Sequence, residues 1–310
     1  MRVYLVNAFT YRGSGGNGAG VTICEKFPPS DAMQQVAKQV GLSETVFISP
    51  RREGFSGRFF TPECEVPVCG HATIAAFYLA GGLGLVRGKD GNAKVMLETK
   101  AGKLPVYISF RRGRVDKVYM GQAEPRALGV VGGEDLRHLC SCLGLESGQV
   151  GIPGLEEAVP EMISTGLPDI IVPVLTRKAL DSMEPDFPGL AELSRRLGVV
   201  GVHAFTLERG TARFDVRCRN FGPAVGINEE AATGTSNGAL GYYLLKRGLI
   251  TEGEIVCKQG AGMGKPSAIY VKVGPEGIKV GGKVLVIGER HVTISTGPTR
   301  RPAVREETGL

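Results

Sequence analysis

Two stretches of this chain repeat one pattern, and the repeat limits the possible folds more than any other feature of the sequence. The first stretch is FFTPECEVPVCGHATIAAFYL (residues 59–79), and the second is RNFGPAVGINEEAATGTSNGALGYYLL (residues 219–245). Each contains an aromatic strand end, a proline turn, a glycine and then an apolar run of helical length. Repetition of one supersecondary unit in the two halves of a chain indicates two similar domains.

Both apolar runs follow a glycine, Gly70 in the first stretch and Gly234 in the second. The start of a helix has free N–H groups and the positive end of the helix dipole, so it favours an anion. If the two helix starts face each other across a cleft between domains, the cleft suits a small carboxylate. The alternative is an ordinary buried turn before each helix, with Cys69 as a small core residue.

The rest of each half has the pattern of a mixed, mostly antiparallel sheet with one or two helices. Strand-like runs such as VYLVNAF (3–9) and LSETVFI (42–48) are common, while helical spacing is confined to a few segments such as residues 31–40. The predicted fold class is therefore α+β rather than alternating βαβ. A length of 310 residues is sufficient for two domains, each with its own core.

Composition and charge argue against several classes of protein. A hydrophobic content of 42% with 22% charged residues is typical of a soluble protein, and we expect neither a membrane segment nor a signal peptide. The net charge of +6 comes from scattered Lys and Arg without interleaved aromatic residues, so no nucleic-acid partner is expected. Seven irregularly spaced cysteines predict a reduced, cytoplasmic protein.

The sequence predicts no cofactor and no metal. The loop RGSGGNG (12–18) lacks the GK[ST] ending of a phosphate loop, and a strand rather than a helix follows it. Cys140 and Cys142 are too closely spaced for the usual CxxC metal pair, and no partner pair exists in the sequence. The expected ligand is therefore a small molecule that binds without a cofactor.

Several motifs, in order along nearly the whole chain, resemble the phenazine-biosynthesis PhzF-like family, which has the diaminopimelate-epimerase-like fold. The motifs are VNAF (6–9), GNGAGV (16–21), LSETVF (42–47), FTPECEVPVCGHATIAA (60–76), RNFGP (219–223), EEAATGTSNGAL (229–240) and QGAGMGKPS (259–267). The family usually has GNPAAV in place of the second motif. Its later motif usually reads GEDPATGSA, where this chain has Glu230, Ala231 and Thr235 for the Asp, Pro and Ser.

The resemblance implies two similar domains with a ligand cleft between them, each a curved mixed sheet around a central helix. We expect the first domain to span residues 1–120 and the second to span residues 121–282. A last strand, at about residues 283–289, would return to the first domain, and residues 290–310 would form a loosely ordered polar tail. The resemblance also implies a biosynthetic enzyme that forms a homodimer.

The resemblance assigns the acid/base role to Glu44. Without it, a single glutamate in a strand would usually face solvent. If Glu44 faces the cleft, burial should raise its pKa toward a value useful for acid/base catalysis. His71 would position the substrate or relay a proton, and Glu230 would replace the family's aspartate with a side chain one methylene longer.

The same resemblance implies that substrate is bound by groups from both helix starts and from the early GNGAGV loop. The expected substrate-binding residues are Asn17, Cys69, Gly70, Ala72, Thr73, Thr233, Gly234, Thr235 and Ser236.

Three functions stay open at the level of sequence. The leading one is a cofactor-independent isomerase that moves a proton on a small carboxylate or amino-acid-like substrate. The second is a thiol-based epimerase or dehydratase that uses Cys69; related epimerases have a second cysteine where this chain has Ala231, so a two-thiol relay lacks one half. The third is a non-catalytic small-molecule binding protein of the same fold.

Overall fold

The apolar run after each repeated glycine forms a long helix. In the computed structural model, which describes residues 1–88, 91–208 and 215–294, these helices are α2 (Gly70–Gly82) and α6 (Gly234–Lys246). Both contain 13 residues, and both begin at the repeated glycine itself. Buried residues lie on nearly every side of α2, as expected for a helix that is apolar all round. The repeat therefore marks two equivalent central helices.

The sheet of the first half includes the last strand of the described chain. Its members are β1 (Arg2–Ala8), β2 (Asn17–Ile23), β3 (Glu44–Pro50), β4 (Phe55–Phe60), β5 (Glu65–Val66), β6 (Asn92–Thr99), β7 (Gly102–Arg111), β8 (Arg114–Gly121) and β18 (Val284–His291). Their order is β18, β1, β2, β3, β4, β6, β7, β8, with β5 paired to the end of β4. Because α2 contacts both β18 and β8, at opposite ends of this order, the sheet curves around the helix.

The sheet of the second half repeats this arrangement. Its members are β9 (Arg126–Val130), β10 (Glu161–Ser164), β11 (Pro168–Pro173), β12 (Gly201–Glu208), β13 (Asp215–Gly222), β14 (Ile227–Glu230), β15 (Gly253–Gln259), β16 (Ser267–Gly274) and β17 (Gly277–Gly282). Their order is β9, β10, β11, β12, β13, β15, β16, β17, with β14 paired to β13. In both halves the same two pairings are parallel, β2–β3 and β4–β6 in one and β11–β12 and β13–β15 in the other. The predicted α+β class with two similar units is confirmed.

The two sheets are continuous with each other. β8 of the first half pairs antiparallel with β17 of the second, in the register Val118↔Gly282 to Gly121↔Lys279. One apolar core includes residues of both central helices, such as Phe77 and Tyr243. The starts of α2 and α6 are therefore held in one framework rather than joined only by a linker.

Shorter helices cover the outer faces of the two sheets. They are α1 (Ser30–Val40), α3 (Gly133–Leu143), α4 (Arg177–Asp181) and α5 (Phe187–Leu197). In the first half, Met33 of α1 packs with Phe47 and Phe60. In the second half, residues of α3 and α5 share an apolar cluster with Phe221.

The C-terminal region differs from the expectation in one respect. β18 pairs with β1 over its whole length and continues to His291, and Val292 is buried, so the polar tail does not begin at residue 290. The strand is longer because Arg290 and His291 also pair with β1, opposite Val3 and Arg2. Residues 295–310, and residues 212–214 of a strand predicted at 212–219, lie outside the described residues. Among those described, no helix is both long and apolar enough to cross a membrane.

The first residue of β12, Gly201, offers a test of this framework. A methyl group there would lie 2.1 Å from the backbone oxygen of Phe221 on the paired strand. Gly201→Ala should therefore lower the free energy of unfolding by at least about 1–3 kcal/mol, as overpacking does. The matched control is Gly82→Ala at the end of α2, where a methyl group meets nothing within 4 Å. Denaturant unfolding would measure both, and equal stability of the two variants would contradict the described packing.

Candidate active site

The central feature of the site is a contact between Glu44 and His71. Glu44 is the first residue of β3, and His71 is the second residue of α2, a helix that contacts β3. His71 Nε2 lies 3.1 Å from Glu44 Oε2, and the side chain of His71 is only 7% exposed. The start of β3 and the start of α2 thus bring together two residues that are 27 positions apart in the sequence.

Three further groups surround the His71 ring. Ser43 Oγ lies 3.2 Å from Nε2, while Cys69 Sγ and Asn17 Nδ2 lie 3.3 Å and 3.4 Å from Nδ1. Both ring nitrogens therefore have polar neighbours. Ser43 comes from the residue before β3 and was not among the predicted site residues, although its place beside Glu44 in the LSETVF motif was a signal for it.

The second half contributes Glu230 to the same cluster. Glu230 Oε1 accepts a hydrogen bond from Asn17 Nδ2 at 3.1 Å, and Oε2 accepts one from Thr233 Oγ1 at 2.9 Å. Because Asn17 also lies beside His71, its amide connects the two halves of the site. The longer side chain of Glu230 thus reaches the first half of the molecule.

A buried glutamine holds the loop before α6. Gln259 Nε2 donates to the backbone oxygen of Glu230 at 2.7 Å and to Thr233 Oγ1 at 3.1 Å. Its Oε1 accepts from Asn237 Nδ2 at 3.0 Å and from the Thr233 N–H at 3.4 Å. Neither Gln259 nor Asn237 was predicted as a site residue, although Gln259 begins the QGAGMGKPS motif.

The remaining residues predicted to bind substrate occupy the first turns of α2 and α6. Gly70, Gly234 and Thr235 lie at the helix starts, where backbone N–H groups lack helical partners. Ala72, Thr73 and Ser236 are buried. Thr73 directs both its N–H and its hydroxyl to the backbone oxygen of Cys69, at 3.0 Å and 2.7 Å. The side chain of Thr73 is thereby occupied within its own helix.

The electrostatics of Glu44 differ from the sequence-based expectation. Burial by itself raises the pKa of Glu44, but its polar neighbours, His71 first and then Ser43 and Cys69, together outweigh burial, so the pKa is lowered. The pKa of His71 is raised well above its ordinary value, because contacts with Cys69 and Glu44 outweigh the opposing effect of its burial. The expected rise in the Glu44 pKa was wrong because it counted burial without the partner that folding supplies. The arrangement favours an ionised carboxylate beside an imidazolium.

The pKa values of two neighbouring groups, Glu230 and Cys69, are raised instead. Burial raises the pKa of Glu230, and the charge of Glu44 adds to this effect. Burial also raises the pKa of the Cys69 thiol, although His71 partly opposes it. The pKa values of the two carboxyl groups, Glu44 and Glu230, are therefore shifted in opposite directions.

The side chains of Glu44, Cys69 and His71 form a possible donor set for a metal ion, since their ligand atoms lie within 4.8 Å of one another. The mixture of carboxylate, thiol and imidazole is one that zinc accepts. This cluster was not foreseen, because positions 44, 69 and 71 match no metal-binding spacing. That the chain needs no metal stays a prediction, which metal analysis of the purified protein and activity after chelation would test.

Comparisons with known proteins identify the family. The model of the family described as phenazine biosynthesis-like protein matches residues 6–297. An uncharacterized isomerase of Deinococcus radiodurans is 36% identical over 283 residues, covering 89% of this chain and 87% of that protein. The trans-2,3-dihydro-3-hydroxyanthranilate isomerase of Pseudomonas fluorescens is 29% identical over 272 residues, covering 86% and 88%.

Solved structures agree with the sequence comparisons. A PhzF family protein of Bacillus anthracis superposes with a TM-score of 0.79 at 27% identity, covering 95% of this chain and 99% of that one. A probable proline racemase of Agrobacterium radiobacter shares the fold, with a TM-score of 0.61 at 16% identity over 94% of this chain and 93% of that one. This chain belongs to the phenazine biosynthesis-like family. The predictions of the PhzF-like family and of an isomerase are confirmed.

Replacement of His71 tests the origin of the Glu44 pKa. In His71→Asn the carboxylate stays buried but loses its charged partner, so its pKa should rise from below to above the ordinary value for glutamate. Carboxyl NMR titration of protein with isotope-labelled glutamate measures this shift, with the Glu44 signal assigned from its absence in Glu44→Gln. Ser43→Ala, which removes only a hydrogen bond, should shift the pKa less. An unchanged pKa in His71→Asn would contradict the described ion pair.

Proposed function

We propose that this chain is a cofactor-independent isomerase in which Glu44 removes a proton from a small carboxylate or amino-acid-like substrate and returns it at another position. The observation that carries this proposal is the 3.1 Å contact between Glu44 Oε2 and His71 Nε2 at the start of α2. The contact keeps Glu44 ionised although it is largely buried, and an ionised carboxylate with little hydration is a competent general base.

Each of the other polar groups of the site has a role in this scheme. The positive charge of His71 stabilises the ionised form of Glu44. When Glu44 has taken a proton from the substrate, this charge has no partner, so transfer of the proton back to the substrate is favoured. Glu230, whose pKa is raised by burial, supplies a second carboxyl group that exchanges a proton with a substrate oxygen or nitrogen. The N–H groups at the starts of α2 and α6 bind the substrate carboxylate.

The substrate class follows from the site and from the named relative. Two helix starts, one base and one acid suit a substrate with a carboxylate and a nearby acidic C–H bond. The substrate named for the Pseudomonas fluorescens relative, trans-2,3-dihydro-3-hydroxyanthranilate, is a cyclic amino-carboxylate of this kind. We place the substrate of this chain in the same broad class of small amino- or hydroxy-carboxylates.

The thiol mechanism has less support than the carboxylate mechanism. A thiolate base at Cys69 would have to form in a site where burial raises the thiol pKa. The second thiol of a two-base relay is absent, because the position of the second cysteine in related epimerases is Ala231 here, and the N-cap of α6 that corresponds to Cys69 is Thr233. A one-thiol elimination by Cys69 and ligand binding without turnover are retained as alternatives.

The remaining proposals concern the state of the protein in the cell. We propose domains of residues 1–120 and 121–282, boundaries that coincide with the end of β8 and the end of β17 to within one residue. We also propose a cytoplasmic homodimer without nucleic-acid or membrane partners. The described cysteines are all unpaired, which suits a reducing compartment.

The proposal predicts that Glu44→Gln abolishes turnover. The amide keeps the shape of the carboxylate but cannot accept the substrate proton, and loss of general acid/base catalysis typically costs about 10²- to 10⁴-fold. Deuterium exchange from heavy water into a panel of amino- and hydroxy-carboxylates measures the effect on many candidate substrates in parallel. The matched control is Glu63→Gln, an exposed glutamate, which should exchange like wild type.

Cys69→Ser separates the two mechanisms. Under the carboxylate mechanism it should cost much less than Glu44→Gln, because the thiol is only a neighbour of His71. An inactive Cys69→Ser with an active Glu44→Gln would replace the proposal with the thiol mechanism. Ligand binding without exchange in any protein, wild type included, would favour the non-catalytic alternative. The comparison is valid only for variants that melt near wild type, because Glu44 and Cys69 are partly or largely buried and replacement of a buried side chain can destabilise the fold.

A further inference from the structure

The internal repeat shows a second buried carboxylate at the place that corresponds to Glu44. In the first half, the parallel pair β2–β3 sets Ala19 opposite Glu44. In the second half, the equivalent parallel pair β11–β12 sets Asp169 opposite Gly201. Each half therefore has one carboxylate at the same level of the same strand pair, beside the start of its central helix, but on opposite strands of the pair.

A steric restriction accounts for the change of strand. Gly201 occupies the position equivalent to Glu44, and a side chain there would collide with the backbone oxygen of Phe221 at 2.1 Å. At this level of the strand pair, the carboxylate lies instead on the neighbouring strand, as Asp169. The packing of β12 does not by itself require an aspartate at position 169.

Asp169 makes a direct contact with the first turn of α6. Its Oδ2 accepts a hydrogen bond of 2.5 Å from the hydroxyl of Ser236, the third residue of the helix. Ser236 Oγ in turn accepts from Asn220 Nδ2 at 3.2 Å, and that same nitrogen lies 3.2 Å from His203 Nδ1. All four side chains are buried. A buried hydrogen-bonded network of this kind fixes the first turn of α6 relative to the strands beneath it.

The first half shows that the fold itself does not need this network. The residue equivalent to Ser236 is Ala72, which is fully buried in the apolar core of the first half. The start of α2 is thus packed without a polar anchor beneath it. A serine held by a buried aspartate beneath α6 is therefore an addition to the repeated unit.

We propose that Asp169 is a positioning residue for the anion site at the start of α6: it holds the first turn through Ser236 and becomes protonated when an anionic ligand binds there. This inference rests on the proposed function for one point only, that the start of α6 receives the carboxylate of the substrate. It adds a proton that is taken up by the protein, rather than by the substrate, at each binding event.

The charges around Asp169 determine the sign of the effect. From α6 it faces the neutral Ser236, from β12 the backbone of Gly201, and from β14 the charge of Glu230 acts on it through space. Burial first, and then the charge of Glu230, raise the pKa of Asp169 to about 6. Burial lowers the pKa of His203 to about 4, so this histidine adds no positive charge near neutral pH. From β10, the residue paired with Asp169 is the apolar Ile163.

An anion at the start of α6 adds a further negative charge near Asp169. The protonated form of Asp169 is then favoured more strongly in the complex than in the free protein. By linkage, ligand affinity is highest below about pH 6, where Asp169 is already neutral, and falls as the pH rises above that value. An aspartate with only a structural role would give no such dependence.

The test measures binding of anthranilate, an aromatic amino-carboxylate, by titration calorimetry at pH 5.5 and pH 8. For wild type the dissociation constant should rise by about tenfold between these pH values. This change corresponds to a rise of about one unit in the pKa of Asp169 when the ligand binds. In Asp169→Asn the constant should stay nearly flat, and at pH 8 this variant should bind more tightly than wild type. Loss of a merely structural aspartate would weaken binding at both pH values, which would overturn the inference.

Two further measurements keep the inference testable if Asp169→Asn does not fold. Ser236→Ala removes the hydrogen bond that stabilises ionised Asp169, so the fall in affinity should move to higher pH; a fall that stays at the same pH counts against the inference. Calorimetry of wild type at pH 7 in buffers of different ionisation heat should show proton uptake on binding, and binding without proton uptake would refute the inference.

Absence of anthranilate binding to wild type at pH 5.5 would also overturn the inference. Deuterium exchange by wild type is independent of these results, so failure of the proposed isomerase would be seen separately.

Discussion

The antiparallel pairing of β8 with β17 is the constraint on which the site depends. It joins two sheets that each curve around one helix, and so it fixes the start of α2 relative to the start of α6. Glu44, His71 and Asn17 come from one half and Glu230 from the other, and their contacts span only a few ångströms. A small rotation between independently moving domains would separate Asn17 from Glu230. The shared ladder makes the cluster a property of one rigid framework.

Much of the architecture could be predicted because it repeats. The glycines at positions 70 and 234 marked both central helices, and the family motifs supplied the curved sheets and the returning last strand. The composition of the site was predicted to a similar extent, because Glu44, His71, Asn17 and Glu230 all lie in those motifs and the structure brings them together. What repeats or has a fixed spacing can be read from a single sequence.

The features that the sequence did not predict depend on the register of paired strands and on close contacts between residues that are distant in the sequence. The direction of the Glu44 pKa shift depends on the contact between the start of β3 and the second residue of α2, which no local pattern contains. Asp169 is the single charged residue of the apolar strand β11, and before folding nothing distinguishes it from a residue that faces solvent. The strand that carries Asp169 is selected by the crowding of Gly201 against β13, a contact between residues 20 positions apart.

The position of β18 has a consequence for how the chain acquires its structure during synthesis. β18 pairs with β1, so that Arg2 lies opposite His291, while the equivalent edge of the second half is provided by β9, which directly follows β8. The second half can therefore complete its sheet while the edge of β1 still lacks its neighbour. Translation usually completes domains from the N-terminus onward, but here the N-terminal half is the last to close. Until β18 has been synthesised, β1 presents unpaired backbone groups with which other chains can pair.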